Sequence, residues 1–184
     1  MNIKDLVQQR RTVKENKKLI EEFPFLLPRN RFTGEVISGY DYEFTELDAM
    51  PTGWRKTFGL EMCREIKDCL VKNNYPLDQY RIMDIKEKYG TLRWYDNGHP
   101  EGMDEIISKY EDLSMCYCIN CGNPTRYVTK GYIYFICEQC KDTTGLKTER
   151  LTKEDIPTRM NFENNKTAEI PSSIDFKKAW DLNE

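Results

Sequence analysis

The sequence predicts an α+β fold in which helices and a β-hairpin pack with a small cysteine-bearing module near the C-terminus. Apolar residues recur at helical spacing in several segments, and runs rich in β-branched and aromatic residues flank glycine turns. We expect three parts. These are an α+β domain over residues 1–115, the cysteine module over 116–142, and an extended tail over 143–184 with a short C-terminal helix.

Composition and charge exclude some classes of protein. The chain has 184 residues and a formal net charge of −3, which argues against a uniformly basic nucleic-acid coat but permits a local basic face. No apolar run is long enough for a transmembrane helix, and the N-terminal segment lacks the apolar core of a signal peptide. We therefore expect a cytoplasmic protein with no membrane partner, in a reducing compartment.

Three segments have helical periodicity. Residues 3 to about 22 have a thin apolar face and many basic residues. From residue 54 to about 73, apolar side chains recur every four residues. This second stripe comprises Trp54, Phe58, Met62, Ile66 and Leu70. A third helix is predicted from Pro100 to about Met115. Before the second helix, we expect the aromatic-rich connection around residues 40–47 to be anchored or to bind something.

Residues 80–95 predict two strands around a turn near residues 87–90. Leu92 and Trp94 are expected on one side, with Arg93 and Tyr95 on the other. A buried apolar face would make this hairpin part of the core. Two alternatives remain open, because interleaved aromatic and basic residues also suit a protein interface or a nucleic-acid surface.

Four cysteines form two pairs with metal-ligand spacing. Cys118 and Cys121 are separated by two residues, and so are Cys137 and Cys140 further along the chain. In a reducing compartment this pattern favours metal over disulfides. Four thiolates complete a tetrahedral site, and the β-rich runs between the pairs predict a hairpin. We therefore predict a zinc ribbon with one structural zinc ion. Iron can also occupy four thiolates, but zinc is the usual structural occupant.

No familiar catalytic motif is present, and His99 is the only histidine. We expect His99 to be a capping or surface residue, because no base and orienting partner can be assembled around it. The sequence therefore favours a non-enzymatic binding protein. Two alternatives remain: a DNA- or RNA-binding ribbon protein in transcription or replication, and an enzyme with a dispersed carboxylate site.

We predict that binding runs through a basic and aromatic surface and not through the metal. On the first helix and on the hairpin it comprises Arg10, Arg11, Lys14, Lys17, Lys18, Lys86, Lys88, Arg93 and Tyr95. Positive charge on such a face would attract phosphate or an acidic protein groove at long range. The aromatic side chains would add short-range contact area.

Two sequence blocks carry a resemblance to a known group of proteins. They are LDAMPTGW at residues 47–54 and IMDIKEKYGTLRWY at residues 82–95, the latter followed by a helix and the two cysteine pairs. Over residues 45–142 the chain resembles small zinc-ribbon proteins of phages and prophages in Gram-positive gut bacteria. The resemblance implies a phage accessory protein, like some anti-CRISPR proteins, that modulates a host protein or nucleoprotein complex. It supplies no active-site residues.

Overall fold

The structure, a computed structural model, describes residues 3–152. Helices and small antiparallel sheets make up this part of the chain, which confirms the predicted α+β class. The short helix predicted near the C-terminus lies outside the described residues.

Four α-helices lie within residues 3–152, and the second and third are joined by a π-helical turn. They are α1 (Ile3–Glu22), α2 (Thr52–Trp54), the π turn (Arg55–Gly59), α3 (Leu60–Lys72) and α4 (Met103–Leu113). Single turns of 3-10 helix occur at Pro24–Leu26, Glu46–Ala49, Ser114–Cys116 and Lys141–Thr143. No described helix is long and apolar enough to cross a membrane.

The predicted apolar stripe of the second helical segment forms the centre of the core. All five of its residues are at most 1% exposed. The Phe58 ring packs against the rings of Tyr110 and Tyr117, with centroids 5.5 and 6.4 Å apart. Lys109 and Tyr110 of α4 both bond the Glu65 carboxylate of α3, so the two helices are joined by polar contacts as well.

Strands β1 (Ile82–Lys88) and β2 (Thr91–Asp96) form the predicted antiparallel hairpin. Leu92 and Trp94 are buried and Tyr95 is 42% exposed, which confirms the predicted facing of this strand. The two turn residues, Tyr89 and Gly90, both have positive φ, as in a type I′ turn.

Helix α1 contacts the rest of the molecule mainly through its C-terminal half. Asn16 is buried and its amide donates to the carbonyl oxygen of Tyr42 at 2.9 Å, while Leu19 and Ile20 pack against the core. The connection that follows is anchored as expected through Leu47, which is buried. The rings of Tyr40 and Phe44 pack edge to face with their centroids 5.5 Å apart, although Phe44 is 47% exposed.

The cysteine module contains a three-stranded sheet. Strands β3 (Tyr127–Thr129) and β4 (Phe135–Ile136) form the predicted hairpin, and β5 (Thr148–Arg150) pairs with the other edge of β3. Strand β5 lies beyond residue 142, where the sequence analysis ended the ribbon. The sheet order is therefore β4-β3-β5.

The side chain of His99 bridges two carboxylates just before α4. Its Nδ1 lies 2.8 Å from Asp96 and its Nε2 lies 3.1 Å from Asp104. The Tyr80 hydroxyl donates to the same Asp96 oxygen and accepts from the Trp94 indole. Burial alone would lower the pKa of His99, but the hydrogen bonds and charges of the two carboxylates outweigh burial and raise it. His99 therefore ties the end of β2 to the start of α4.

We expect His99→Gln to remove a pH-dependent part of the stability. The folded pKa of His99 is raised, so its contribution is fully present below the unfolded pKa of about 6.5 and is lost as pH rises through the folded value. Urea unfolding of both proteins from about pH 5.5 to about pH 8 measures this effect. The two free energies of unfolding should differ most at low pH. A difference that does not change with pH would contradict the assigned role.

Candidate metal centre

The four predicted ligand cysteines come together in space. The sulfur atoms of Cys118, Cys121, Cys137 and Cys140 all lie within 4.8 Å of one another, and those of Cys121 and Cys137 are 3.5 Å apart. Cys118 and Cys137 are buried, and the other two are partly exposed. Within the described part of the chain, these cysteines are the one group of three or more side chains placed to share a metal ion.

Each cysteine pair lies in a tight backbone turn. In the first turn, the N–H of Gly122 donates to the Cys118 carbonyl at 2.9 Å, and the N–H of Cys118 donates to the Asn123 carbonyl at 2.7 Å. Gly122 has φ of +82°, a conformation that favours glycine. In the second turn, the N–H of Cys140 donates to the Cys137 carbonyl at 3.2 Å. The two-residue spacing thus lets both cysteines of each turn direct their sulfur atoms to the same cluster.

The backbone also prepares a thiolate at Cys118. Burial opposes its ionisation, but backbone N–H groups of Cys137, Cys121 and Asn120 donate to the sulfur and together lower its pKa. Burial raises the pKa of Cys121 and of Cys140. A metal dication would compensate for the cost of holding four thiolates this close together.

The sulfur cluster fits a single metal ion. In a tetrahedral site with metal–sulfur bonds of about 2.3 Å, the sulfur atoms lie about 3.8 Å apart. The sulfur–sulfur distances of the cluster, 3.5 Å for Cys121 and Cys137 and at most 4.8 Å for the other pairs, are close to this value. Four thiolates fill all positions of such a site, so the arrangement suits a structural ion.

The first cysteine turn is packed directly on the start of the central helical segment. The N–H of Gly53 donates to the Ile119 carbonyl at 2.9 Å, and the Trp54 indole donates to the Tyr117 carbonyl at the same distance. A methyl group on Gly53 would lie 2.1 Å from the Cys118 carbonyl oxygen and 2.6 Å from that of Ile119. The two backbones therefore touch only because residue 53 has no side chain.

A second contact holds the first cysteine turn against the central helical segment, and we call this contact region the joint. The Thr57 hydroxyl lies 2.8 Å from the Gly53 carbonyl and 3.2 Å from the Gly122 carbonyl. Gly53, Trp54 and Thr57 thus support the metal site, although the sequence analysis did not identify them as site residues. The glycine in the first turn of this amphipathic helical segment was the available indication, because glycine is disfavoured in a helix unless backbones approach closely.

The predicted binding residues lie on two separate elements. Arg10, Arg11, Lys14, Lys17 and Lys18 are all exposed on α1. On the hairpin, Lys86 lies over the Tyr95 ring at 5.0 Å, and Lys88 lies over the Tyr89 ring at 5.6 Å. Arg93 is turned toward α4, where it pairs with Glu111 at 3.5 Å. The role of both groups in binding stays a prediction.

No protein-family model matches this chain, and no curated protein or solved structure matches it either.

Proposed function

We propose that this chain is a non-enzymatic binding protein whose fold is stabilised by one structural zinc ion. The closed set of four thiolates supports a structural and not a catalytic role for the ion, because such a site has no open position for water or substrate. Zinc is the metal that most commonly fills a four-thiolate structural site, and its binding energy contributes directly to folding.

The observation that carries the binding role is the charge distribution on α1. At about 100° per residue, its five predicted basic residues fall within about 120° of the helix circumference. The opposite side is the one that packs, through Asn16, Leu19 and Ile20. Arg11 pairs with Glu15, but both side chains are more than half exposed, so the pair is weak. The helix therefore presents a cationic face to solvent between Arg10 and Lys18, and the exposed Glu21 lies on the same side one turn further on.

We further propose that the partner is a host protein or nucleoprotein complex with an acidic surface. The cationic face supports an acidic partner, and the resemblance to phage zinc-ribbon proteins supports a bacterial host target. By the same resemblance, the protein would act in the host cytoplasm as an inhibitor or modulator of a defence complex, in the manner of anti-CRISPR proteins. A non-enzymatic inhibitor of this kind would act stoichiometrically, by occupying a surface of its target.

We expect the triple substitution Arg10→Glu, Arg11→Glu and Lys14→Glu to weaken partner binding about tenfold or more at low ionic strength. The measurement is retention of host proteins on the immobilised chain, with nuclease-treated lysate of a Gram-positive gut bacterium, over a range of salt concentrations. Zinc content and melting temperature should be unchanged, because all three residues are exposed.

Lys86→Glu with Lys88→Glu is the matched test on the hairpin. Both lysines are exposed on another element, so a loss specific to one variant identifies the face that is used. Binding that survives both sets of reversals, with an unchanged salt dependence, would show that neither face carries the interaction.

A further inference from the structure

The turns of the two hairpins meet. A methyl group on Gly90, in the β1–β2 turn, would lie 3.0 Å from Ile133, in the β3–β4 connection, and 3.0 Å from the ring of Phe135, the first residue of β4. The second turn is held by the buried side chain of Thr129, whose hydroxyl accepts from the N–H of Tyr134 at 2.8 Å. The first turn is held by the Glu87 carboxylate, which accepts from the N–H of Gly90 at 2.5 Å. Both turns are thus fixed, and they lie side by side.

Tyrosine rings project from this surface. Tyr89 is 71% exposed and Tyr132 is 75% exposed, whereas most large aromatic side chains of the described residues are buried or half-buried. The Tyr132 ring stacks on the Tyr134 ring, with an interplanar angle of 16° and centroids 6.3 Å apart. Tyr134 therefore covers one face of the Tyr132 ring, and the other face of the Tyr132 ring is open to solvent. We call Lys88, Tyr89, Lys130, Tyr132 and Tyr134 the tip surface.

Folding alone does not explain a tyrosine at position 89. Its φ is +54°, and at this position of a type I′ turn glycine, asparagine or aspartate is favoured. A bulky residue with positive φ strains the backbone, and burial does not compensate, because the ring is largely exposed. Strain kept at an exposed aromatic residue points to a role in binding.

The two hairpin segments that carry the tip surface are more basic than the rest of the chain, which favours a polyanion as the ligand. The two hairpin segments, residues 80–96 and 116–152, contain nine basic and six acidic residues, whereas the whole chain has a net charge of −3. Lys88 lies over the Tyr89 ring at 5.6 Å, so a group stacked on that ring would lie near an ammonium. Lys130 pairs with Glu149 at 3.0 Å, but both side chains are about 60% exposed, so a phosphate can replace the carboxylate.

We propose that the tip surface binds single-stranded nucleic acid. Bases would stack on Tyr89 and Tyr132, and backbone phosphates would contact Lys88 and Lys130. Stacking on a ring requires an unpaired base, which is why the proposal is a single strand and not a duplex. This inference goes beyond the proposed function, because it assigns a ligand class to a surface on other elements than α1.

The test uses the full zinc-loaded chain and fluorescent oligo-dT and oligo-U of about 20 nucleotides, followed by anisotropy at several salt concentrations. We expect binding to the single strands, weaker binding to a duplex of the same length, and an affinity that falls as salt rises. Tyr89→Gly and Tyr132→Ala should each weaken binding about tenfold or more. Tyr89→Gly should also keep or raise the melting temperature, because glycine suits the turn.

Phe32→Ala is the matched control, because Phe32 is 98% exposed and lies outside the tip surface. It should leave oligonucleotide affinity unchanged, and so should the triple reversal on α1 if its residues serve another partner. Failure of the α1 test and failure of this test are therefore separate results.

Two outcomes would overturn the assignment. One is the absence of binding to either oligonucleotide at low salt. The other is binding that heparin displaces and that both tyrosine variants leave unchanged, which would reflect charge alone. If host proteins in nuclease-treated lysate then lose contact with the tyrosine variants, the tip surface belongs to a protein interface instead.

Discussion

Cys118→Ser or Cys137→Ser should abolish metal binding and unfold the ribbon. Both residues are buried ligand candidates in the sulfur cluster, and a serine hydroxyl does not replace a thiolate. In small zinc modules the apparent metal-binding free energy is about 10–16 kcal/mol, which is more than the total stability of many domains. Elemental analysis should find no metal in either variant, and circular dichroism should show a lower melting temperature.

Loss of the metal should also destabilise the helical part of the chain. The first cysteine turn bonds Gly53 and Trp54 at the start of the central helical segment, so its unfolding removes their partners. Cys69→Ser is the control, since Cys69 lies on α3 outside the sulfur cluster. It should retain one metal ion per chain. If Cys118→Ser keeps its metal, or Cys69→Ser loses it, the ligand assignment is wrong.

The second large effect is expected at Gly53. Gly53→Ala would place a methyl group 2.1 Å from one backbone carbonyl oxygen and 2.6 Å from the next, and backbone cannot yield as a flexible side chain can. We expect a loss of about 3 kcal/mol, at the upper end of the cost of overpacking. We also expect faster removal of the metal by a chelator, because the displaced atoms belong to the first cysteine turn.

Gly59→Ala provides the matched comparison in the same helical segment. A methyl group there would meet Arg55, Leu47 and Met50 at 3.4–3.5 Å, which are ordinary van der Waals contacts. Alanine is also favoured over glycine in a helix by about 1 kcal/mol, so this variant should be as stable as the wild type or more stable. Equal stability of the two variants in urea unfolding would show that the joint at Gly53 is not tight.

The sequence predicted the sulfur cluster because ligand spacing is a local property. Two residues between the cysteines of each pair set the turn, and glycine at position 122 suits its positive φ. The joint between this turn and α2 could not be predicted in the same way. It depends on contacts between residues more than 60 positions apart, such as Thr57 with Gly122.

The apolar stripe of the second helical segment was also predicted, but the π turn within it was not. Residues spaced by four drift about 40° per step around an α-helix, so five of them would spread over much of its surface. The π turn at Arg55–Gly59 adds a residue to one helical turn and reduces this drift. Trp54 and Phe58 can therefore face the same core as Leu70.

Strand β5 could not be predicted from the sequence, for a different physical reason. Its three residues, Thr148–Arg150, have no apolar alternation, and two of them are exposed. The strand exists because β3 has an open edge beside it, with Tyr127 opposite Arg150 and Thr129 opposite Thr148. Backbone pairing of this kind leaves no pattern of side chains that identifies it beforehand.

The metal content of the wild-type chain is the most direct test of the zinc-ribbon assignment. The chain would be purified without chelator and analysed by inductively coupled plasma mass spectrometry, with protein concentration measured independently. We expect one zinc ion per chain, because four thiolates within 4.8 Å of one another form one closed site. A preparation that is folded and contains neither zinc nor another transition metal would contradict it.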